Sequence, residues 1–113
     1  MLRPNGALCM AVIHPINSAG NFESEAPDAG YLISGSYFEP RRYRDAIERN
    51  GLRMTFNSRH WPLQAYSEAL EAAGLVIEAI REVPVDEASV RERALRARWR
   101  QLPLFLDLRA RKQ

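Results

Sequence analysis

Two histidines, a single cysteine and a few arginines are the residues of this chain whose types could do chemistry. His14 follows seven unbroken apolar residues, Ala7 to Ile13, and precedes Pro15. An imidazole titrates near neutrality, so at the end of a strand it can accept a proton from a substrate. The alternative is a structural ring that bonds the following loop. His60 stands just before a predicted helix and can contact a substrate or cap backbone groups at the helix start. Arg59, beside it, can steer an anionic substrate or remain a solvated charge. Cys9 lies within the apolar run and reads as a core residue rather than a nucleophile. The two histidines stand far apart, and no Cys/His pair has the spacing of a metal site, so no metal is expected.

The apolar run follows Leu2-Arg3-Pro4-Asn5-Gly6, strong turn chemistry because Pro presets φ while Asn and Gly accept positive φ. A short, wholly apolar run after such a turn predicts a strand buried on both faces, as in the middle of an α/β sheet. The six residues before it in this sequence are not expected to pair with it or cover it. Left exposed, it would be an adhesive edge and a route to self-association.

The downstream elements follow from local signals. Residues Ile16–Gly30 read as a loop long enough to be a lid or disordered. Tyr31–Phe38 is β-prone and interrupted by Gly35. Asn50-Gly51 joins Arg42–Arg49 to Leu52–Arg59 as a type I′ hairpin, with Ile47 opposite Met54 and Glu48 opposite Arg53. That register gathers Tyr43, Ile47, Leu52, Met54 and Phe56 on one half-buried face, with Asp45 an awkward neighbour. A helix over Arg41–Arg49 competes, since those residues are decent helix formers. Pro62 and Gly74 bound a helix whose buried face is Leu63, Tyr66, Ala69, Leu70 and Ala73. Leu75–Val83 reads as a strand. Asp86 caps a second helix running to about Gln101, with Leu95 and Trp99 turned inward and its arginines, Arg91 to Arg100, a solvated face with anion binding as the alternative. Leu104–Ala110 forms a last strand, and the C-terminal Arg-Lys tail frays.

Composition sets the outer limits. The chain has 113 residues, one domain at most, with 46% hydrophobic and 27% charged residues and a net charge of +2. That balance does not call for nucleic acid, and the longest apolar run is too short to span a bilayer. No leader pattern is visible, and one cysteine suits a reduced, cytoplasmic setting.

Taken in order, these elements resemble the C-terminal half of a class I S-adenosylmethionine-dependent methyltransferase. Leu2-Arg3-Pro4-Asn5-Gly6 is similar to the Leu-Arg/Lys-Pro-Gly-Gly turn that introduces that family's fifth strand, with Asn in place of the first Gly. The strand ends on His14-Pro15, as in a subset acting on small molecules. Phe56, His60, Pro62, Leu63, Tyr66, Ala69, Leu70, Ala73 and Gly74 follow that subset's Phe-x-x-x-His-Arg-Pro-Leu-x-x-Tyr-x-x-Ala-Leu-x-x-Ala-Gly-Phe pattern. Trp61 replaces the usual Arg, and Leu75 the usual Phe. Leu102-Pro103-Leu104-Phe105-Leu106, with Leu108-Arg109-Ala110, resembles the seventh strand.

The resemblance implies an α/β fold: the C-terminal part of a Rossmann-like methyltransferase sheet, with an inserted β-hairpin and two helices. Its strands would be equivalent to the fifth, sixth and seventh, the last antiparallel and inserted between the other two. It implies a single partial domain over residues 1–113, with residues 16–61 as a substrate-side insertion. The implied activity is methyl transfer from S-adenosylmethionine to a small-molecule acceptor, with His14 as catalytic candidate at the carboxyl edge of the sheet. Tyr37 and Phe38 fall in the substrate cover of similar enzymes, and with Arg59 and His60 they are the substrate-binding candidates. The Gly-x-Gly-x-Gly cofactor loop and the acidic residue for the ribose hydroxyls are absent from the sequence, so the cofactor-binding residues are unassigned. The chain would then be inactive alone. The alternatives are a non-catalytic α/β interaction module, which dimerises or complements a separate N-terminal half, and a small dimeric α+β enzyme with sites between subunits.

Overall fold

The computed structural model describes residues 3–49 and 51–113. Strand β1 (Ala7–Ile13) leads into a four-residue helix α1 (Pro15–Ser18) and a small hairpin, β2 (Gly20–Phe22) with β3 (Tyr31–Ile33). A longer hairpin follows, β4 (Arg41–Arg49) with β5 (Leu52–His60). Helix α2 (Leu63–Ala72), strand β6 (Leu75–Val83), helix α3 (Glu87–Glu92), a 3-10 helix (Ala94–Gln101) and strand β7 (Phe105–Lys112) complete the chain.

The three-stranded sheet has the order β1-β7-β6. β7 runs antiparallel to both neighbours, so β1 and β6 are parallel to each other and end on the same side. Period-two alternation on β7 puts Leu106, Leu108 and Ala110 on one face, where each is at most 3% exposed. Leu70 of α2 closes over them, with Met10, Val12, Tyr66, Leu75 and Ile77 packed around. Burying a leucine of this kind is worth about 1.5–3 kcal/mol, so this central strand anchors the sheet. A second small cluster, Val85, Val90 and Ala97 with Trp99 and Leu104, lies beneath α3 and the 3-10 helix.

Local chemistry sets the ends of these elements. Gly74 has a φ of +76° and terminates α2, while Lys112 Nζ donates to the Ala73 carbonyl at the helix's negative end. A bulge between Ile77 and Ala79 re-aims Glu78 on β6. Its carboxylate accepts from Arg109 Nε at 2.7 Å and Arg111 Nε at 2.8 Å, tying the last strand to its neighbour.

Several expectations are corrected. β1 has the expected bounds but not two buried faces: Cys9, Ala11 and Ile13 are exposed, because α2 packs only on the side of Met10 and Val12. Cys9 is therefore a surface thiol. Residues Ile16–Gly30 hold helix α1 and strand β2, and the bend before β3 is stitched by Glu23 N to Gly30 O and by Gln101 Nε2 to Ala29 O. The β-prone stretch keeps only Tyr31–Ile33 as strand.

The long hairpin has the expected register and prevails over the helix, but its apolar face is open. Leu52, Met54 and Phe56 are 63%, 44% and 45% exposed, since no other layer packs over them among the described residues. The turn type, which rests on Asn50, and the side chains of Asp45 and Ile47 lie outside the described residues.

On α2 only Tyr66 and Leu70 of the expected five turn inward; Leu63, Ala69 and Ala73 are exposed. The second expected helix breaks at Arg93, whose backbone is extended. In an unbroken helix Trp99 would lie about half a turn round from Val90. The break lets both pack on one cluster and leaves Leu95 exposed. The tail is strand rather than frayed: Arg111 and Lys112 belong to β7, and Lys112 N donates to Gly6 O.

Candidate functional site

Open α/β sheets place ligands beyond the carboxyl ends of their strands. Here the carboxyl ends of β1 and β6 lie side by side, because β7 enters antiparallel between them. α1 sits at that edge, and the two histidines hold it at opposite ends. His14 is its N-cap, with Nδ1 accepting from Ile16 N at 3.1 Å. That contact fixes the proton on Nε2, which donates to Glu82 Oε2 at 2.7 Å near the end of β6. Both ring nitrogens are engaged, so use of His14 as a base requires release of one of these bonds.

His60, fully buried, holds the other end of α1. Its Nε2 donates to the Tyr37 carbonyl at 2.8 Å, and Nδ1 faces Ser18 Oγ at 2.5 Å. With the proton on Nε2, the serine hydroxyl is the donor to Nδ1. Tyr37 packs edge-on against the imidazole at 5.6 Å between centroids, and its hydroxyl accepts from Leu63 N at the start of α2. His60 thus joins α1, the Tyr37 turn and the entrance to α2. A histidine's place in the sequence carries no signal of such a bridge, since Ser18 and Tyr37 are distant from it along the chain.

Tyr37 and Phe38 line an apolar groove of about 440 Å³ with Pro62, Leu63, Tyr66 and Ile80. Phe38 is 69% exposed there. Burial raises the Tyr66 phenol above its ordinary pKa. Arg59 lies elsewhere, stacked on Trp61 at 4.8 Å and directly opposite Arg42 on the paired strand. The four substrate candidates therefore do not converge on one pocket. Tyr37 and Phe38 share a groove, His60 is a buried anchor behind them, and Arg59 faces the side of the long hairpin.

A cavity of about 850 Å³ was not foreseen from the sequence. It opens beside Ile13 at the end of β1, between α1, the β2–β3 hairpin, the start of β4 and the 3-10 helix. Phe22, Tyr43 and Trp99 give it aromatic walls, and Arg41, Arg44 and Arg98 line it with positive charge. Phe22 meets Trp99 and Tyr31 edge-to-face, at 4.8 and 5.1 Å between centroids. The Tyr31 hydroxyl is held against Asn17 O and Gly20 O. Burial pushes its pKa up, ahead of the opposing pull of the Gly20 backbone bond. The sequence signal was present in the arginines of the 91–100 segment, but only the break at Arg93 turns Arg98 toward Phe22.

The described residues do not fit a nucleoside cofactor. No two of the six glycines stand two positions apart, and those at positive φ, Gly35, Gly51 and Gly74, close three separate turns. No group of three His, Cys, Asp or Glu residues is arranged to hold a metal among the described residues. No helix among them is long and apolar enough to cross a membrane.

No family model matches the chain, and no curated protein matches it in sequence. Solved structures do. The fold is similar to that of an S-adenosylmethionine-dependent methyltransferase from Mesorhizobium loti, with a TM-score of 0.63 and 21% identity. That alignment covers 98% of this chain and 50% of the other. A protein from Listeria monocytogenes assigned to the same class aligns with a TM-score of 0.65 and 19% identity, over 99% of this chain and 50% of its own length. The chain thus has the α/β fold of the C-terminal, Rossmann-like part of such methyltransferases, and it spans half the length of each neighbour.

Proposed function

We propose that this chain is the acceptor-binding half of an S-adenosylmethionine-dependent methyltransferase acting on a small molecule. The observation that carries the reading is the β1-β7-β6 sheet with its inserted antiparallel strand, in a fold that aligns over nearly the whole chain with the two methyltransferase neighbours. The cofactor would be held by residues outside this chain, since those present lack the loop for it. What this half contributes is position: α1, fixed at both ends by His14 and His60, and the groove and cavity that flank it. Methyl transfer gains much of its acceleration from alignment of acceptor and donor, which suits a scaffold of this kind.

The test has two arms. Calorimetry of the chain alone with S-adenosylmethionine is expected to give no binding heat. The chain joined to the polypeptide encoded immediately upstream, expected to carry a strand followed by Gly-x-Gly-x-Gly, should transfer a labelled methyl group. Micromolar cofactor binding by the chain alone, or an upstream frame without that loop, would overturn the half-enzyme reading.

A second reading has its own support. The edge of β1, which pairs with no second strand among the described residues, and the open Leu52, Met54 and Phe56 face suit a non-catalytic interaction module that dimerises or docks on a separate partner half.

A further inference from the structure

Three arginines, Arg41, Arg44 and Arg98, line the 850 Å³ cavity. Four arginines away from it pair with carboxylates: Arg100 binds Glu87 through two bonds, Arg109 and Arg111 share Glu78, and Arg96 meets Glu92. Arg41, Arg44 and Arg98 have no carboxylate partner among the described residues. They are held by neutral groups instead. Arg41 spans the Ser34 and Ala19 carbonyls, Arg44 Nε donates to Asn57 Oδ1, and Arg98 Nη1 donates to Leu95 O. A guanidinium has five N–H donors, so each keeps some to offer while its position is fixed.

Two further observations point the same way. Arg98 lies 5.6 Å from the centre of the Phe22 ring, and its Nε is buried without a hydrogen-bond partner. Arg44 also lines a shallower groove of about 500 Å³ with Arg42 and Arg59, which stand directly opposite each other on β4 and β5. Like charges in that cross-strand arrangement repel. Against these cations the cavity presents one carboxylate, Glu25. Fixed guanidiniums pair with a planar carboxylate through two parallel bonds, as they do with phosphate, and the volume is that of a small-molecule site.

We infer that this cavity binds an aromatic small molecule through its carboxylate, the ring lying against Phe22, Tyr43 and Trp99 and the anion meeting Arg44 and Arg98. This assigns the acceptor class and rests on the methyltransferase reading, although binding itself needs no cofactor. Arg41 fixes the wall, since its donors join β4 to the carbonyls on either side of β2–β3.

The test uses the whole chain, with 4-hydroxybenzoate and its uncharged counterpart 4-hydroxybenzamide as probes. Calorimetry is expected to give binding of the carboxylate that is about tenfold or more tighter than that of the amide. The indole N–H resonance of Trp99 should shift with it. Arg44→Gln, on an exposed strand position, should lose the discrimination with an unchanged melting temperature, and Arg98→Gln should lose it further. Equal affinity for the two probes, or discrimination intact in folded Arg44→Gln, would overturn the assignment. Carboxylate binding that persists while the completed enzyme transfers no methyl group would sink the methyltransferase reading and leave the site standing.

Discussion

The two histidines show how a residue's chemistry depends on what folding brings to it. Each has both ring nitrogens occupied, His14 by Ile16 N and Glu82, His60 by Ser18 and the Tyr37 carbonyl. Loss of the buried ring leaves a hydroxyl and a carbonyl unsatisfied and opens a void. His60→Ala is therefore expected to destabilise the fold by about 2–4 kcal/mol in urea denaturation. His60→Gln, which can replace one of the two bonds, should cost less. A change below about 0.5 kcal/mol would mean that the bridge contributes nothing, as for an ordinary surface substitution. His14 has the opposite expectation: it caps a helix of only four residues at the sheet edge. If the methyltransferase proposal holds, His14→Ala in the chain joined to its upstream polypeptide should lower methyl transfer with little loss of stability. Unchanged kinetics would assign that ring to structure alone.

Among the elements, β7 is the one on which the others depend, and its register is guarded by charge. Glu78, turned by the bulge in β6, accepts bonds from Arg111 and Arg109, which hold its carboxyl below the ordinary value of 4.5. A carboxylate with a lowered folded pKa contributes stability that is full above its unfolded pKa. That contribution is lost as the pH falls through the lowered value. Denaturation midpoints compared between about pH 6 and pH 3 should fall, and Glu78→Gln should reduce the fall. The same acid dependence in wild type and variant would show that other carboxylates dominate. Glu87, held low by Arg100 beside it, adds a dependence of the same sign at α3.

At the scale of the whole molecule, the side of β1 away from β7 pairs with no strand among the described residues and is an edge open to association if nothing covers it. His14 N bonds Leu104 O and Lys112 N bonds Gly6 O. With the two-residue period of an antiparallel ladder, the backbone groups of Leu8, Met10 and Val12 therefore face β7. Those of Cys9 and Ala11 face outward. Ala11→Pro removes an outward N–H without touching the ladder, so it should weaken concentration-dependent association in sedimentation while circular dichroism is unchanged. Association of the folded variant equal to wild type would place the contact elsewhere, with the open Leu52, Met54 and Phe56 face the next surface to alter.

The fold was largely legible because its signals are local. Pro4-Asn5-Gly6, Asn50-Gly51, Pro62 with Gly74, and the alternation on Leu104, Leu106 and Leu108 act over a few residues. They located β1, the long hairpin, α2, β6 and β7 nearly to the residue. The antiparallel insertion of β7 came from the family resemblance and is what the sheet has. Periodicity reports that a face is apolar, not whether a neighbour covers it. Hence Cys9, Leu63 and Phe56 read as buried and are exposed. The break at Arg93 also lay beyond local propensity, since it is driven by Val90 and Trp99 reaching the same cluster.

The site was the least legible part. The sequence put His14 at the end of the first strand and His60 just before a helix, but only tertiary contacts brought both to α1 and supplied Glu82, Ser18 and the Tyr37 carbonyl as their partners. The cavity walls come from Phe22, Arg44 and Arg98, residues far apart in sequence. Backbone turns and strand alternation are short-range effects, written in neighbouring residues. Which guanidinium meets which ring, and which one goes without a carboxylate, is decided only when distant segments pack.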